Sequence, residues 1–258
     1  MLTPLRDLSV ERVRLPEGAA PVKYFVSDRE LAAIILVGQA DVSVSHAGQI
    51  IHWRRIGARK SVFDGLPYCV YIGPHTQMTL TPRDGPVDIL MASAPVLDSH
   101  IMPALIRPED VKTHVIGEGH YHRMVREVIG GDGIARRLRI GETINDVGGW
   151  SSWPMHQFER EPLNATQFEE VFYYLFKPVD ANKKPKECMA YQVVRGRYCN
   201  GVDVDEIREI RHGDYGVIPL GFHPVIGAVD AKTYYFWAYL SPQSKRYAAN
   251  AEDIGGYT

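Results

Sequence analysis

Apolar and polar residues alternate in short runs along much of this chain, which is the pattern of half-buried β-strands. Within Asp41–Ser45, valines alternate with polar residues, and the Ala47-Gly48 pair that follows predicts a hairpin turn. The runs are separated by many of the 23 glycines and 17 prolines, as in sandwiches and barrels. We therefore predict an all-β protein. The main candidate strands are residues 23–26, 33–37, 41–45, 49–53, 68–72, 77–81, 88–92, 136–140, 171–176, 189–194, 215–218 and 233–239.

One short helix is predicted over His122–Ile129, ended by Gly130-Gly131. A weak internal sequence repeat indicates two copies of one barrel. Gly65–His75 and Gly213–His223 share a layout in which a strand runs into a Gly/Pro turn that delivers a histidine. Leu97–Glu118 is rich in proline and polar residues and is typical of a crossing between copies. We expect an N-terminal barrel over residues 1–110 and a C-terminal barrel over residues 111–258.

Composition excludes several classes of protein. With 45% hydrophobic and 23% charged residues, the chain is neither disordered nor fibrous. A formal net charge of −2 gives no field that attracts nucleic acid or an anionic membrane, so we expect neither as a partner. The first residues lack a signal-peptide core, and Leu31–Val37, the longest apolar stretch, is too short to span a bilayer. Three widely spaced cysteines agree with a reducing compartment, so a cytoplasmic protein is expected.

Two histidines and one glutamate are candidate metal ligands. His223 follows the Pro219–Gly221 turn, His156 follows a Trp-Ser-Ser-Trp-Pro-Met run, and Glu170 opens the apolar strand Val171–Phe176. Taken singly, such a histidine is more often an ordinary hydrogen-bonded residue than a ligand. Together, imidazole and carboxylate suit Zn, Mn, Fe or Ni and leave positions open for substrate oxygens. A non-haem iron oxygenase is a further interpretation of the same set.

Five blocks of the sequence are specific in combination: Arg59–Tyr68, Gly141–Asn145, Trp150–His156, Phe168–Tyr174 and Gly213–Pro224. Together they resemble the bicupin 5-deoxy-glucuronate isomerases of inositol catabolism, which are related to the 4-deoxy-5-keto-uronate isomerases. The resemblance runs from about residue 20 to about residue 247. It implies two tandem cupin barrels, a divalent metal in the C-terminal one, and aldose-ketose isomerisation of a deoxy-uronic acid.

By this resemblance, His156, Glu170 and His223 match three metal ligands of the family. The family's second histidine corresponds to Phe158, so the chain departs from the four-ligand pattern. A site that loses one imidazole can add water, recruit a replacement or lose the metal. We expect metal binding to be weakened. The alternative is a non-catalytic cupin that binds a small sugar acid.

The remaining site residues are less defined. A general base is required, and Glu169, Glu187 and a metal-bound hydroxide are admissible, with Glu169 ranked lower because it should alternate away from the ligand face. The substrate carboxylate requires a cation, for which Arg195 and Lys245 are candidates. Residues that line the cavity or pack beside it are Tyr174, Gln192 and Tyr235.

Two further histidine segments are assigned roles outside the metal site. His120-Tyr121-His122 has ligand spacing for a strand, yet the corresponding family segment is not the metal site, so a surface or interface role is favoured. His75 is expected to serve structure. Strands rich in Trp, Tyr and Ile on two barrels leave edges that need covering, which favours a homo-oligomer.

Overall fold

The computed structural model describes residues 5–97, 100–131, 133–152, 169–197, 203–219 and 221–240. These residues form seventeen strands and three short 3-10 helices, with no α-helix among them, so the all-β prediction is confirmed. The strands are β1 (Ser9–Leu15), β2 (Val22–Val26), β3 (Arg29–His46), β4 (Gln49–Gly57), β5 (Cys69–Ile72), β6 (Thr76–Pro95), β7 (Ala104–Ile106), β8 (Lys112–Ile116), β9 (Arg123–Ile129), β10 (Leu138–Asn145), β11 (Trp150–Ser151), β12 (Glu170–Pro178), β13 (Ala190–Arg197), β14 (Asp203–Ile210), β15 (Tyr215–Ile218), β16 (Val225–Ile226) and β17 (Ala231–Leu240).

The chain divides into two compact units. The N-terminal unit comprises Asp7–Lys112 and Glu127–Arg139, and the C-terminal unit comprises Thr113–Arg126, the described residues from Ile140 onward and those before Asp7. None of the helical segments in the described part of the chain has the length and apolar character that a bilayer-spanning helix needs. The predicted boundary between residues 110 and 111 stays a prediction.

The N-terminal unit is built on a seven-stranded sheet in which β1, β6, β3, β5 and β7 are neighbours, with β2 paired to β6 and β4 to β3. The predicted hairpin joins β3 to β4, where His46 is paired with Gln49. Ala47 and Gly48 both have positive φ, at 49° and 78°, as a tight two-residue hairpin turn requires. The core is aliphatic and includes Ile35, Val42, Ile72, Met78, Leu80 and Ile89.

A buried carboxylate in the N-terminal unit shows how the fold accommodates such a group. Glu30 is fully buried and accepts a hydrogen bond from the Tyr71 hydroxyl at 2.5 Å. It also accepts bonds at 2.7–2.8 Å from the backbone amides of Arg136, Arg137 and Leu138. Burying a charge is costly unless hydrogen bonds replace its water, and here four donors do so.

The C-terminal unit contains most of a six-stranded sheet in the order β15, β12, β17, β10, β9, β8 and a four-stranded sheet in the order β11, β16, β13, β14. Its core is unusually aromatic, with Phe172, Tyr174, Phe176 and Tyr235 packed against smaller residues. Phe172 and Tyr235 pack with ring centroids 4.6 Å apart. Phe172, Tyr174 and Tyr235 flank the candidate site.

The predicted helix over His122–Ile129 is wrong. Arg123–Ile129 forms β9, which lies between β10 and β8 in the six-stranded sheet. Val125, Val128 and Ile129 are β-branched and suit an extended strand better than a helix. Tertiary pairing with β10 therefore overrides the local signal for a helix end at Gly130-Gly131.

Strand β14 was missed because its sequence, DVDEIREI, is dominated by charge. β14 nevertheless pairs with β13, and exposed side chains form ion pairs between the two strands. Asp203 meets Arg197 at 2.5 Å, and Asp205 meets Arg195 at 2.7 Å. Cross-strand opposite charges favour such a pairing. The extended conformation of this segment therefore depends on its pairing with β13.

Candidate functional site

The site is built on the inner face of β12 and β17. Side chains alternate along a strand, so Glu170, Phe172 and Tyr174 share one face of β12. Tyr174 is directly paired with Tyr235 on β17, and both rings belong to the buried core of the C-terminal unit. The register thus brings Glu170 and the two tyrosines onto one interior surface.

His223 lies beside Glu170 in this interior. Its Nε2 atom is 3.3 Å from Oε2 of Glu170, and the two side chains are 1% and 5% exposed. The Phe172 ring packs edge-on against the imidazole with centroids 6.0 Å apart. Two of the three predicted metal ligands are therefore brought together. His156, the third, lies outside the described residues.

The loop between β15 and β16 positions His223. Phe222 exchanges two backbone hydrogen bonds with Arg195 on β13, at 2.7 and 2.8 Å. At the head of β15, the Asp214 carboxylate accepts a bond from the backbone amide of Arg211 at 2.7 Å and so caps that turn. The histidine itself precedes β16 rather than lying on a strand. Its position is thus fixed by backbone pairing on either side.

The tautomer of His223 follows from its second nitrogen. Nδ1 lies 2.7 Å from the carbonyl oxygen of Gly221. A carbonyl oxygen only accepts, so Nδ1 carries a proton, and in the neutral ring Nε2 presents a lone pair toward Glu170. Metal-ligating histidines are oriented in this way by a backbone carbonyl on the other ring nitrogen.

Gly221 is predicted to be essential for this arrangement. Its φ is +75°, and a Cβ at this position would lie 2.1 Å from the carbonyl oxygen of Arg195. We expect Gly221→Ala to lower the free energy of unfolding by about 2 kcal/mol or more, since the left-handed conformation alone costs about 1–2 kcal/mol and the clash adds to it. Metal affinity should fall as well, because the carbonyl that orients His223 would move. Chemical denaturation and metal titration measure the two effects.

Gly213→Ala is the matched control for Gly221→Ala. Gly213 also has a positive φ, at +93°, but a Cβ there would meet only the Tyr173 hydroxyl at 3.7 Å. We expect a stability cost of about 1 kcal/mol and unchanged metal affinity. Equal metal affinity in both variants would contradict the role given to the Gly221 carbonyl.

Several buried polar atoms in this interior have no hydrogen-bond partner among the described residues. They include Oε2 of Glu170, the Tyr174 hydroxyl and both side-chain polar atoms of Gln192. Gln192 and Tyr174 pack together at Gly216, where a Cβ would lie 2.0 Å from the Gln192 oxygen and 3.0 Å from the Tyr174 ring. Buried polar groups without partners are rare, so their concentration here indicates a place for a polar ligand.

Glu170 and His223 together fit a cation. The Glu170 oxygen lies within ion-pair distance of Nε2 but without hydrogen-bond geometry, and both atoms are acceptors in the neutral tautomer. Two acceptors this close require a proton or a cation between them. Burial raises the pKa of Glu170 well above its usual range, so a proton can fill that role when no metal is bound.

Tyr235 links this pair to the rest of the inner face. Its hydroxyl is hydrogen-bonded by the side chains of Ser151 and Thr143. Burial raises the pKa of Tyr235, and burial likewise raises the pKa of Tyr174 well above its usual range, so both phenols stay protonated at neutral pH. The three predicted lining residues, Tyr174, Gln192 and Tyr235, therefore belong to one buried polar cluster with Glu170.

Other predicted site residues have their side chains engaged elsewhere. The Glu169 carboxylate accepts a bond from the backbone amide of Arg6 at 2.7 Å, and Glu187 caps the backbone amide of Lys184 at 2.8 Å. Arg195 is half exposed and pairs with Asp205 on the neighbouring strand. Phe158 and Lys245 lie outside the described residues.

The histidines assigned to other roles lie at the surface. His122 is half exposed and meets Asp146 at 2.8 Å, and His75 occupies an exposed turn with φ +55°. Within the described ranges, no group of three or more His, Cys, Asp or Glu side chains is arranged to hold a metal. The set predicted from sequence includes His156, which those ranges do not contain.

Arg123 is a buried residue of this region that the sequence did not single out. It opens β9 and is 7% exposed. Arg123 also interacts electrostatically with Tyr235, which places its charge near the polar cluster.

Comparison with known proteins gives consistent results for sequence and fold. A model of the KduI/IolB family matches residues 5–255. The chain is 27% identical over 218 residues to a 5-deoxy-glucuronate isomerase of Geobacillus kaustophilus, covering 83% of this chain and 73% of that enzyme. It is 25% identical over 242 residues to the enzyme of the same name from Halalkalibacterium halodurans, covering 93% and 83%.

Solved structures share the fold. An IolB-like protein from Salmonella typhimurium superposes with a TM-score of 0.78 at 24% identity, covering 93% of this chain and 85% of that one. An oxalate decarboxylase from Lactobacillus farciminis, solved as a formate complex, superposes with a TM-score of 0.63 at 12% identity, covering 93% and 78%. The predicted cupin-type all-β fold is thereby confirmed.

Proposed function

The chain belongs to the KduI/IolB family and is an isomerase, and on that premise we propose that it interconverts the aldose and ketose forms of a deoxy-uronic acid. The substrate is one such as 5-deoxy-glucuronate, in inositol catabolism. The proposal includes a divalent metal ion, Zn, Mn, Fe or Ni, held by His156, Glu170 and His223. It also places the protein in the cytoplasm, as a homo-oligomer.

The observation that supports this proposal best is the Glu170–His223 pair. The two acceptor atoms are 3.3 Å apart in a buried interior, and His223 is held in the metal-binding tautomer by Gly221. Glu30 shows that a purely structural buried carboxylate in this chain is given four donors. Glu170 lacks such donors among the described residues, as a ligand for a cation would.

A bound divalent cation would supply positive charge beside the substrate oxygens on which negative charge develops as a proton moves between C1 and C2. The protein would supply orientation. Tyr174 and Gln192 offer one hydroxyl and one amide that have no hydrogen-bond partner among the described residues, and these suit the hydroxyl groups of a sugar acid. The surrounding aromatic rings of Phe172 and Tyr235 would exclude water from the reacting carbons.

More than one residue is a candidate for the general base. Glu169 and Glu187 remain candidates, and each carboxylate accepts a hydrogen bond from a backbone amide. A role for either would require that bond to break when substrate binds. We also propose that the site belongs to the C-terminal barrel, over residues 111–258, and that the N-terminal barrel, over residues 1–110, carries no metal.

The proposal is tested by measuring metal per chain in protein purified without chelators, followed by isomerisation of 5-deoxy-glucuronate. We expect near-stoichiometric metal and turnover that a chelator abolishes and added metal restores. Absence of metal after incubation with Mn, Zn, Fe and Ni, together with absence of turnover, would contradict the proposal.

A second candidate function is a non-catalytic cupin that binds a small sugar acid. The observation that favours it is Phe158, which stands where the family resemblance calls for a second metal histidine. Phe158→His separates the two functions. If the chain is a degenerate binder, the variant should gain metal affinity and new isomerase activity.

If the chain is instead an active isomerase, Phe158→His should reduce an existing turnover, because Phe158 would then shape a specialised pocket. Parallel metal titration and isomerisation assays on wild type and Phe158→His measure both quantities. Phe63→His, at an aromatic residue of the N-terminal unit, controls for adding a histidine to the chain.

A further inference from the structure

Arg123 is a buried cation that has no acidic partner among the residues that the structure describes. It is 7% exposed, and its guanidinium donates to the carbonyl oxygen of Tyr121 at 3.1 Å. Within the part of the chain that the structure describes, no carboxylate lies within ion-pair distance of it. Burying a charge is expensive unless it is paired, so such an arginine needs a reason to persist.

A second buried arginine on the same strand shows the contrast. Arg126 is paired with the buried Glu142 at 3.1 Å, and Glu142 also accepts a bond from the Tyr234 hydroxyl at 2.9 Å. Residues 123 and 126 are an odd number apart, so they lie on opposite faces of β9. Arg123 therefore faces the side opposite to the Arg126–Glu142 pair.

The face that Arg123 occupies is the one that carries the candidate site. Tyr234 and Tyr235 are adjacent on β17 and so face opposite ways; Tyr234 meets Glu142, and Tyr235 meets Thr143 on the other face. Since β12, β17, β10 and β9 are successive neighbours, Tyr174, Tyr235, Thr143 and Arg123 follow one another across the inner surface. Arg123 lies on β9, at the far side of this row from Tyr174.

Tyr235 lies within electrostatic range of both Arg123 and Glu170. The charges of Arg123 and Glu170 both act on Tyr235, the former lowering and the latter raising the pKa of its phenol. Burial lowers the pKa of the Arg123 guanidinium, because the charged form loses its water. Adjacent strands lie about 4.8 Å apart, and three such spacings place β9 about 14 Å from β12 across the sheet. The long side chain of Arg123 shortens the distance between its guanidinium and the β12 side chains.

We propose that Arg123 binds the substrate carboxylate and so makes the site specific for sugar acids over neutral sugars. This inference rests on the proposed function. In a uronic acid the carboxylate and the reacting C1 and C2 carbons lie at opposite ends of the carbon chain. Glu170 and His223 mark one end of the inner face, and Arg123 marks the other.

The chemistry of arginine suits this role. The guanidinium donors form a planar fork that matches a carboxylate in two parallel hydrogen bonds, with one donor already held by Tyr121. Arg195, a candidate from sequence, instead pairs with Asp205 on a half-exposed surface. The arriving carboxylate would give Arg123 the counter-charge that the described protein residues do not.

The test compares an acid with its neutral counterpart. Wild type, Arg123→Gln and Arg123→Lys are assayed with 5-deoxy-glucuronate and with 5-deoxy-glucose, which has a hydroxymethyl group in place of the carboxylate. We expect Arg123→Gln to lower kcat/KM for the acid by about 100-fold, mainly through KM, because a charge pair is lost. Activity on 5-deoxy-glucose should change less than about threefold, since that sugar makes no such pair.

Arg123→Lys keeps the charge but loses the fork, so it should retain intermediate activity on the acid. It also serves as the second variant if Arg123→Gln fails to fold, which thermal unfolding would show. Arg211→Gln is the matched control, because Arg211 is an exposed arginine that pairs with Glu209. An equal loss on both sugars, or no loss on the acid in a folded variant, would overturn the inference.

Calorimetric binding separates this inference from the proposed function. If wild type turns over neither sugar, the isomerase proposal fails, but the affinity for 5-deoxy-glucuronate still tests Arg123. A Kd at least about 30-fold weaker in Arg123→Gln than in wild type supports the assignment. An unchanged Kd, or no measurable binding of the acid to wild type, overturns it.

Discussion

His223→Ala is expected to remove both the bound metal and the isomerase turnover. His223 supplies one of three proposed ligands, and its Nε2 atom faces Glu170 at 3.3 Å. Loss of groups that merely orient a ligand commonly costs 10–100-fold in metal affinity, so loss of the ligand itself should cost more than about 100-fold. Metal content by elemental analysis and turnover of 5-deoxy-glucuronate measure the two effects.

The matched control is His122→Ala. His122 belongs to the same unit but is half exposed and pairs with Asp146, so its removal should leave metal and turnover unchanged. Retained turnover in a folded His223→Ala protein would sink the metal-dependent mechanism. Because His223 is buried, thermal unfolding of the variant must confirm that the protein remains folded.

Glu142→Gln is expected to destabilise the metal-free protein, whereas Glu170→Gln is not. Both glutamates are buried in the C-terminal unit, and the substitution is nearly isosteric at each. Glu142 pairs with Arg126 and accepts a bond from Tyr234, so its loss should lower the free energy of unfolding by about 3 kcal/mol or more. Glu170 has no hydrogen-bonded donor at Oε2 among the described residues, so its replacement should be neutral or stabilising by about 1 kcal/mol in metal-free protein.

The pH dependence of the Glu170→Gln effect follows from the raised pKa of Glu170. An acid whose pKa is higher in the folded state than in the unfolded state destabilises the fold once the pH exceeds the unfolded value of about 4.3. The stability gain in metal-free Glu170→Gln should therefore be absent below that pH and grow as the pH rises toward the folded pKa. Urea unfolding at several pH values, with chelator present, measures it.

With metal bound, the wild type should be more stable than the Glu170→Gln protein. The Glu170→Gln protein should bind metal far more weakly than wild type, because an amide oxygen carries no charge to offset the cation. Glu142→Gln, if folded, should retain metal. Destabilisation of the metal-free protein by Glu170→Gln would show that Glu170 serves the fold rather than a ligand.

Much of the fold was predictable because strand signals are local. Alternation, β-branched residues and the Ala47-Gly48 turn act within a few residues, and strands β2, β4, β12, β15 and β17 follow from them. Arg123–Ile129 and Asp203–Ile210 were not predictable in this way. Their extended conformation depends on neighbouring strands, in one case on ion pairs with β13.

The sequence by itself determined the all-β class, the family and the pairing of Glu170 with His223 as candidate ligands, because these depend on residue identity and order. Only the tertiary structure decided which polar side chains share an interior. It engaged Glu169, Glu187 and Arg195 with other partners and brought Arg123 to the face of Tyr235. Strand register causes this difference, since a shift of one residue would turn every side chain to the other face, and register is set by partners distant in the chain.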